Sequence, residues 1–277
     1  MKKIDEPAGD TGSPVYQYRL PVSRKTNAYC ADLLRRHLEA IGSRWRRLTP
    51  GRIVVIVLAV LRHDQRIADM AGGNQVGETT IRRWRDELIA LLAARAPRLD
   101  RALKEIAKRG AEVVLIDGTL IPTARRSGKD NRPNYSGKHR RHGLHFLALT
   151  DEMGRLIWIS AARPARTHDV TAARRDHILD HLRAAGLGAL ADLGFLGLDD
   201  DDDQPAVVTG YKATRARKLT ASQKEANRVL AASRTPVEHG FARLKMWRTL
   251  AKLRTDPARA TNLVAALLVL TNLEMNH

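Results

Sequence analysis

The sequence predicts a mixed α/β protein in which an all-helical N-terminal part precedes a mixed five-stranded sheet flanked by helices. Three observations carry this. Apolar residues recur at helical spacing as far as about residue 108; from residue 112 the texture changes to short β-branched runs punctuated by Gly; and everything after residue 220 returns to helical spacing. A length of 277 residues fits one large or two modest domains. The expected organisation is a flexible arm over 1–26, a helical part over 27–108 and an α/β part over 109–277.

In order, residues 1–26 carry five Pro and Gly residues among polar ones without a sustained period, which reads as an arm. A helix follows with Leu33, Leu34, Leu38 and Ile41 on one face and Asn27 as its cap, then a second opened by Thr49-Pro50 and running through Leu61. A short helix near Gln65–Ala71, a Gly-rich break and a longer helix from Glu78 to Leu92 have the outline of a helix-turn-helix. Its second helix turns Ile81, Trp84, Leu88, Leu91 and Leu92 inward, leaving Thr79, Thr80, Arg82 and Arg83 outward at the positions that meet a major groove.

The α/β part opens with a strand, "EVVLIDGT", that delivers Asp117 at its end. "LHFLALTDEMGRLIWIS" reads as a hairpin turning at Asp151–Gly154, "RTHDVTAARRDHILDHLRAAG" as one helix, "LGALADLGFLG" as a strand delivering Asp192, and "AVVTGY" as the last strand. Three helices are expected at the end, near 221–233, 236–250 and 257–275. The aspartate run 199–203 lacks the spaced ligands of a calcium loop and reads as a solvated loop. Trp158 and Trp247 read as packing residues.

Charge is the strongest global signal. The formal net charge is +18 and the pI about 10.7, with 36 Arg and 12 Lys against 30 acids. Such an excess is the electrostatic footprint of a polyanion partner, most often nucleic acid. The longest apolar runs, 53–61 and 263–270, are too short to span a membrane. No apolar stretch follows the basic residues at the N-terminus, so no secretory signal is expected and a cytoplasmic, nucleoid-associated location is the default. One cysteine, Cys30, excludes an intrachain disulfide and a cysteine-based zinc site.

Asp117 and Asp192 are the chemistry-bearing acids of the sheet. Carboxylates at the rim of neighbouring strands can converge on hard cations, and a third carboxylate from a helix crossing the rim closes such a site. Glu238 is the candidate for that third position, in a segment, "RTPVEHGFARLKMWR", otherwise rich in cations. The local alternative is a capping box, Thr235-Pro236-Val237-Glu238, with Pro at the first helical position.

The motifs "LIDGT", "YSGKHRRHG", "RTHDVTAAR", "ADLGFLG" and "RTPVEHGFARLKMWR" together resemble the bacterial transposases of the IS5 group, over about four fifths of the chain. The resemblance implies a DDE catalytic domain of ribonuclease H-like fold with Asp117, Asp192 and Glu238 as catalytic metal ligands. It also implies two Mg²⁺ ions, for which Mn²⁺ would substitute, and double-stranded DNA, both terminal inverted repeats and a target site, as partner. A homodimer or larger assembly follows from the need to hold two ends. Insertion sequences related to this group show Tyr-x2-Arg-x3-Glu-x6-Lys around the last acid; Arg234, Glu238 and Lys245 keep the Arg-x3-Glu-x6-Lys spacing, while Ala231 stands where Tyr would be. Glu238 and Lys245 are almost two helical turns apart and share a face, so Lys245 can hold a phosphate beside the metals. Lys138, Arg140 and Arg141, in the basic run "KHRRH" (138–142), are further DNA-contact candidates, with a merely solvated loop as the alternative. His168 and Asp169 are accessory candidates, with a helix-cap role for Asp169 as the alternative. Two other functions stay open: a helix-turn-helix regulator without catalysis, and a structure-specific endonuclease that cuts DNA but does not join it.

Overall fold

A computed structural model describes residues 19–43, 46–201 and 203–275. The first 18 residues of the expected arm lie outside the described residues. The rest of it leads directly into α1 (Arg24–Ala40), which Ser23 caps by accepting the Thr26 amide at 3.1 Å. The cap thus falls four residues before Asn27. The backbone N–H of Ser23 donates to Glu274 near the far end of the chain. α2 (Pro50–His63) starts at Thr49 as expected, and α3 (Ile67–Gly73) and α4 (Glu78–Ala93) flank the break at 74–77. Ile81, Trp84, Leu88 and Leu92 are buried, while Thr79, Arg82 and Arg83 are exposed. α5 (Leu99–Lys108) leads to the sheet.

The sheet is built on β1 (Val113–Pro122) and β3 (Arg141–Thr150), paired antiparallel from Leu115↔Thr150 to Pro122↔Gly143. On its other edge β1 runs parallel to β6 (Gly188–Leu190), and β6 parallel to β7 (Val207–Val208). β4 (Leu156–Ile159) closes the expected hairpin on β3. These five strands form a mixed sheet consistent with a ribonuclease H-like fold. Two further strands of two residues each, β2 (Tyr135–Ser136) and β5 (Arg163–Pro164), also pair with β3 and bring the total to seven.

Alternation along β1 and β3 sends side chains into two cores. Val114, Ile116, Leu147 and Leu149 pack with α5, α6 (Asp169–Arg175) and α7 (Ile178–Ala185). Leu115, Ile121, Phe146 and Ala148 face the opposite core, which also holds α1, α2, α4, α8 (Ala221–Lys245) and α9 (Pro257–Met275). α9 lies against α4, so the helical N-terminal part and one face of the sheet share one continuous hydrophobic interior. Trp247 is 1% exposed there and donates its indole N–H to Thr271 at 3.1 Å. Trp158, half-buried on β4, packs at the border of the other core.

The structure departs from the sequence reading in three helices. The helix expected over 166–186 breaks into α6 and α7 at His177, which adopts φ 52°, beside Asp176, whose carboxylate turns inward to pair with Arg163 of β5. The two helices expected around Pro236 are one, α8, and Pro236 lies inside it. Its capping box is formed by Thr220 and Gln223. Thr235 is therefore no helix cap, and the capping role considered for Glu238 falls away. A proline in a helix interior costs about 3 kcal/mol, but Val237, Phe241 and Leu244 are buried just beyond it and their burial outweighs that cost. Finally, Asp199 is not solvated: its side chain is 1% exposed, it accepts the amides of Ala206 and Val207, and it pairs with Arg183.

α8 comes very close to the β3–β4 turn. A Cβ on Gly154, which has φ +74°, would stand 2.3 Å from the Pro236 carbonyl oxygen, and one on Gly240 would stand 2.9 Å from the Gly154 carbonyl oxygen. Gly42, with φ +62°, has nothing near its missing side chain. Gly42→Ala should therefore cost about 1–2 kcal/mol, for the left-handed backbone alone. Gly154→Ala should cost about 1–3 kcal/mol more through overpacking. Thermal melts of the two variants test this, and equal losses would show that α8 does not rest on the turn.

Candidate active site

Asp117 lies in the middle of β1 and not at its end as expected, because pairing with β3 carries the strand on to Pro122; it stands where β1 loses β6 as a neighbour. Its parallel pairing with β6 ends at Leu115↔Leu190, while the antiparallel ladder continues through Asp117↔Ala148. Asp192 follows β6 by two residues and caps a 3₁₀ turn (Leu193–Phe195). Each carboxylate is fixed by a nearby glycine amide: Gly118 donates to Asp117 Oδ1 and Gly194 to Asp192 Oδ1, both at 2.8 Å. Both aspartates line a cleft of about 550 Å³ whose other walls include Lys138, His139, Arg141 and Lys245.

The electrostatics of this cleft are dominated by Asp117. Burial pushes its pKa from an ordinary 3.8 up to about 6, and the negative charges of Asp192 and Asp169 push the same way. The Arg234 guanidinium at 3.4 Å and the Gly118 amide oppose the shift without cancelling it. Arg234, expected as a DNA contact, is thus turned onto Asp117, with its Nε buried and without a hydrogen-bond partner. The Lys245 ammonium is pulled below its usual range by loss of water, against the attraction of Asp117. His139 is likewise lowered, first by burial and then by Lys138, Arg141 and Lys245, with Asp169 opposing.

Asp169 proves to be more than a helix end. The N-cap of α6 is His168, which is exposed and makes no side-chain cap bond, so the capping role considered for Asp169 does not hold. The Asp169 carboxylate instead lies in the gap left by two glycines: a Cβ on Gly118 would stand 2.0 Å from its Oδ1, and one on Gly194 would stand 2.6 Å from its Oδ2. His145 Nε2 holds Oδ1 at 2.7 Å from below, and the other ring nitrogen of His145 is buried without a partner. His145 was not singled out in the sequence, and His139 entered only within the motif "YSGKHRRHG". For His145 the only signal is its place in an apolar strand, which by itself suggests a core residue.

Glu238 is exposed on α8 and does not line the cleft. It stands one turn after Arg234, which reaches Asp117, and almost two turns before Lys245, which lines the cleft, so it occupies the helix face turned to the site. Among the described residues no three His, Cys, Asp or Glu side chains form a group that could hold a metal ion. The donor chemistry nevertheless fits a hard divalent cation. Two carboxylates converge, one is held above its usual pKa by burial and like charge, and Mg²⁺ commonly takes only one or two protein carboxylates together with substrate phosphates. Arg140, with φ 49°, lies exposed in the turn between β2 and β3, and Thr79, Thr80, Arg82 and Arg83 lie on α4 outside the cleft.

Residues 116–272, more than half of the chain, match the family model described as DDE superfamily endonuclease. The chain belongs to this family. The matched span holds Asp117, Asp192 and Glu238 and ends within α9, so this DDE endonuclease family covers the whole sheet beyond the start of β1 and the helices that follow it. The match supports nuclease or transposase activity on DNA, and enzymes of the superfamily generally use divalent metals; it does not single out the IS5 group. Searches of curated proteins and of solved structures gave no match. Among the described residues no helix is long and apolar enough to cross a membrane.

The raised pKa of Asp117 in this DDE family member has a measurable sign. The folded protein holds the Asp117 proton more tightly than the unfolded chain does, so stability falls as pH rises from about 4 to about 6, by up to about 3 kcal/mol. Asp117→Asn removes that contribution. In metal-free buffer the variant should match wild type near pH 4 and exceed it above pH 6, by urea unfolding across that range. Parallel pH profiles for the two proteins would refute the assignment.

Proposed function

We propose that the protein is the transposase of an IS5-group insertion sequence, cutting DNA at the element's terminal inverted repeats and joining the ends to a target. The observation that carries this is the pair of Asp117, in β1 just past the end of its pairing with β6, and Asp192, just past the end of β6, in one cleft with Lys138, Arg141 and Lys245. A regulator without catalysis has no use for carboxylates at the cost of burial that Asp117 bears.

In this reading Asp117, Asp192 and Glu238 hold the metals, with Glu238 swinging in from the cleft-facing side of α8. Two Mg²⁺ ions bound there would activate the attacking water or 3′ hydroxyl and offset charge on the leaving oxygen. The chain's own cations do the rest. Lys245, Lys138 and Arg141 hold phosphates along the cleft, and Arg140 adds a contact from the β2–β3 turn. Arg234 neutralises Asp117 until DNA and cations arrive, then is free to turn to a phosphate. His139, whose pKa is lowered first by burial and then by its cationic neighbours, stands beside the DNA backbone. Residues 27–108 form the locating part, with Thr79, Thr80, Arg82 and Arg83 of α4 entering the major groove of the inverted repeats. His168 is exposed next to Asp169 and serves as an accessory DNA contact. The net charge of +18 supports general affinity for the duplex. Two ends must be held together, so the working form is a homodimer or larger assembly.

Labelled DNA carrying the element's ends, incubated with Mg²⁺ or Mn²⁺, tests this reading. Wild type should both cut and join. Asp117→Asn and Glu238→Gln should bind within about threefold of wild type and cut at least about a hundredfold more slowly. Cutting without joining would make the protein a structure-specific endonuclease; binding without cutting by wild type would make it a regulator. Lys245→Ala should weaken binding to every DNA sequence alike and reduce the slope of log affinity against log salt by about one.

A further inference from the structure

A second cavity, of about 750 Å³, opens beyond the far end of β1 and is lined by Arg125, Arg132, Arg166, Tyr135, His142 and Asn131. The three arginines are exposed and have no acidic partner among the described residues. Three unneutralised guanidinium groups around one hollow repel each other, an arrangement that an anion relieves. Tyr135 is 41% exposed, a large aromatic face left open to solvent. Its neighbour His142 meets it edge-on, with ring centroids 5.3 Å apart and 63° between planes, and is itself locked by a 2.7 Å hydrogen bond to Asn131. The wall is therefore rigid, cationic around the mouth and aromatic inside. That combination suits a nucleotide whose phosphates meet arginine and whose base stacks on an aromatic ring.

A paired base cannot present its face to Tyr135, because both of its faces are stacked within the duplex. From Asp117 to Pro122 at the end of β1 is five residues, about 17 Å of strand. That is about five steps of duplex at 3.4 Å each, so DNA with its scissile phosphate at Asp117 reaches the cavity a few nucleotides away. The hairpin of β2 and β3 joins the two sites directly, since its turn gives Lys138 to the cleft and Gly137 to the cavity.

We propose that this cavity holds an unpaired nucleotide of the DNA, with its base stacked on Tyr135 and its flanking phosphates on Arg125, Arg132 and Arg166. This deepens the DNA-cleaving reading and rests on it. No residue of the cleft takes part, so DNA cleavage and capture of the unpaired base can be separated.

The test uses the full chain and three fluorescent DNAs of equal length: a blunt duplex, a duplex with a five-nucleotide single-stranded tail, and the same tail built of abasic sites. Binding is read by anisotropy at fixed salt. Wild type should prefer the tailed DNA to the blunt duplex, and the abasic tail should lose that preference. Tyr135→Ala should weaken binding to the base-bearing tail about tenfold while leaving the blunt duplex and the abasic tail unchanged, and Tyr135→Phe should restore it. Arg125→Ala and Arg166→Ala should weaken both tails. If wild type binds all three DNAs equally, or Tyr135→Ala weakens all three alike, the cavity is no nucleotide site although the protein still binds DNA. If wild type binds none of them, the DNA-cleaving reading falls as well.

Discussion

The structure depends on the approach of one helix to one turn. α8 lies so close to the β3–β4 hairpin that two positions, Gly154 and Gly240, have no room for a side chain. That contact fixes the C-terminal half of the helix against the sheet, where Val237, Phe241 and Leu244 bury into the core. With the helix so anchored, its next face is committed: Arg234 must meet Asp117, Lys245 must border the cleft, and Glu238 must stand between them. The exposed N-terminal half of α8 has no such support. It is held by its capping box and by Asn227, whose side chain both accepts from and donates to the backbone of Tyr211.

The charge balance of the cleft follows from this placement. Asp117 is buried among like charges with one arginine in partial compensation, so the fold carries an electrostatic cost at the position where chemistry is expected. Functional sites often show this pattern, since groups arranged for reaction are rarely those that would stabilise the fold most. The glycines next to the acids belong to the same design. Gly118 and Gly194 supply amides to Asp117 and Asp192, and the space where their side chains would be admits Asp169.

Much of this was legible in the sequence where a local signal existed. The run ending in Asp-Leu-Gly marked the end of β6, and Thr49-Pro50 marked the start of α2, because strand propensity and capping act over a few residues, whereas β1 runs on past Asp117-Gly118 to Pro122 by pairing with β3. What stayed hidden depends on partners distant in sequence. Pro236 carries the local signature of a helix start, and only the burial of residues beyond it keeps α8 continuous. Asp199 stands in an aspartate run that looks solvated, yet its carboxylate is taken up by the amides of Ala206 and Val207 at the start of β7 and by Arg183. Asp169 has the position of a helix cap, and its true neighbours, Gly118, Gly194 and His145, come from three other segments.

The sharing of one interior by both ends of the chain bears on how the protein comes into being. α4 packs most extensively against α9, and the amide of Ser23 at the head of α1 donates to Glu274. The N-terminal helices therefore complete their core only once α9 has formed. Loss of α9 would strip packing from the N-terminal helices and cover from one face of the sheet together, so the two parts share their stability.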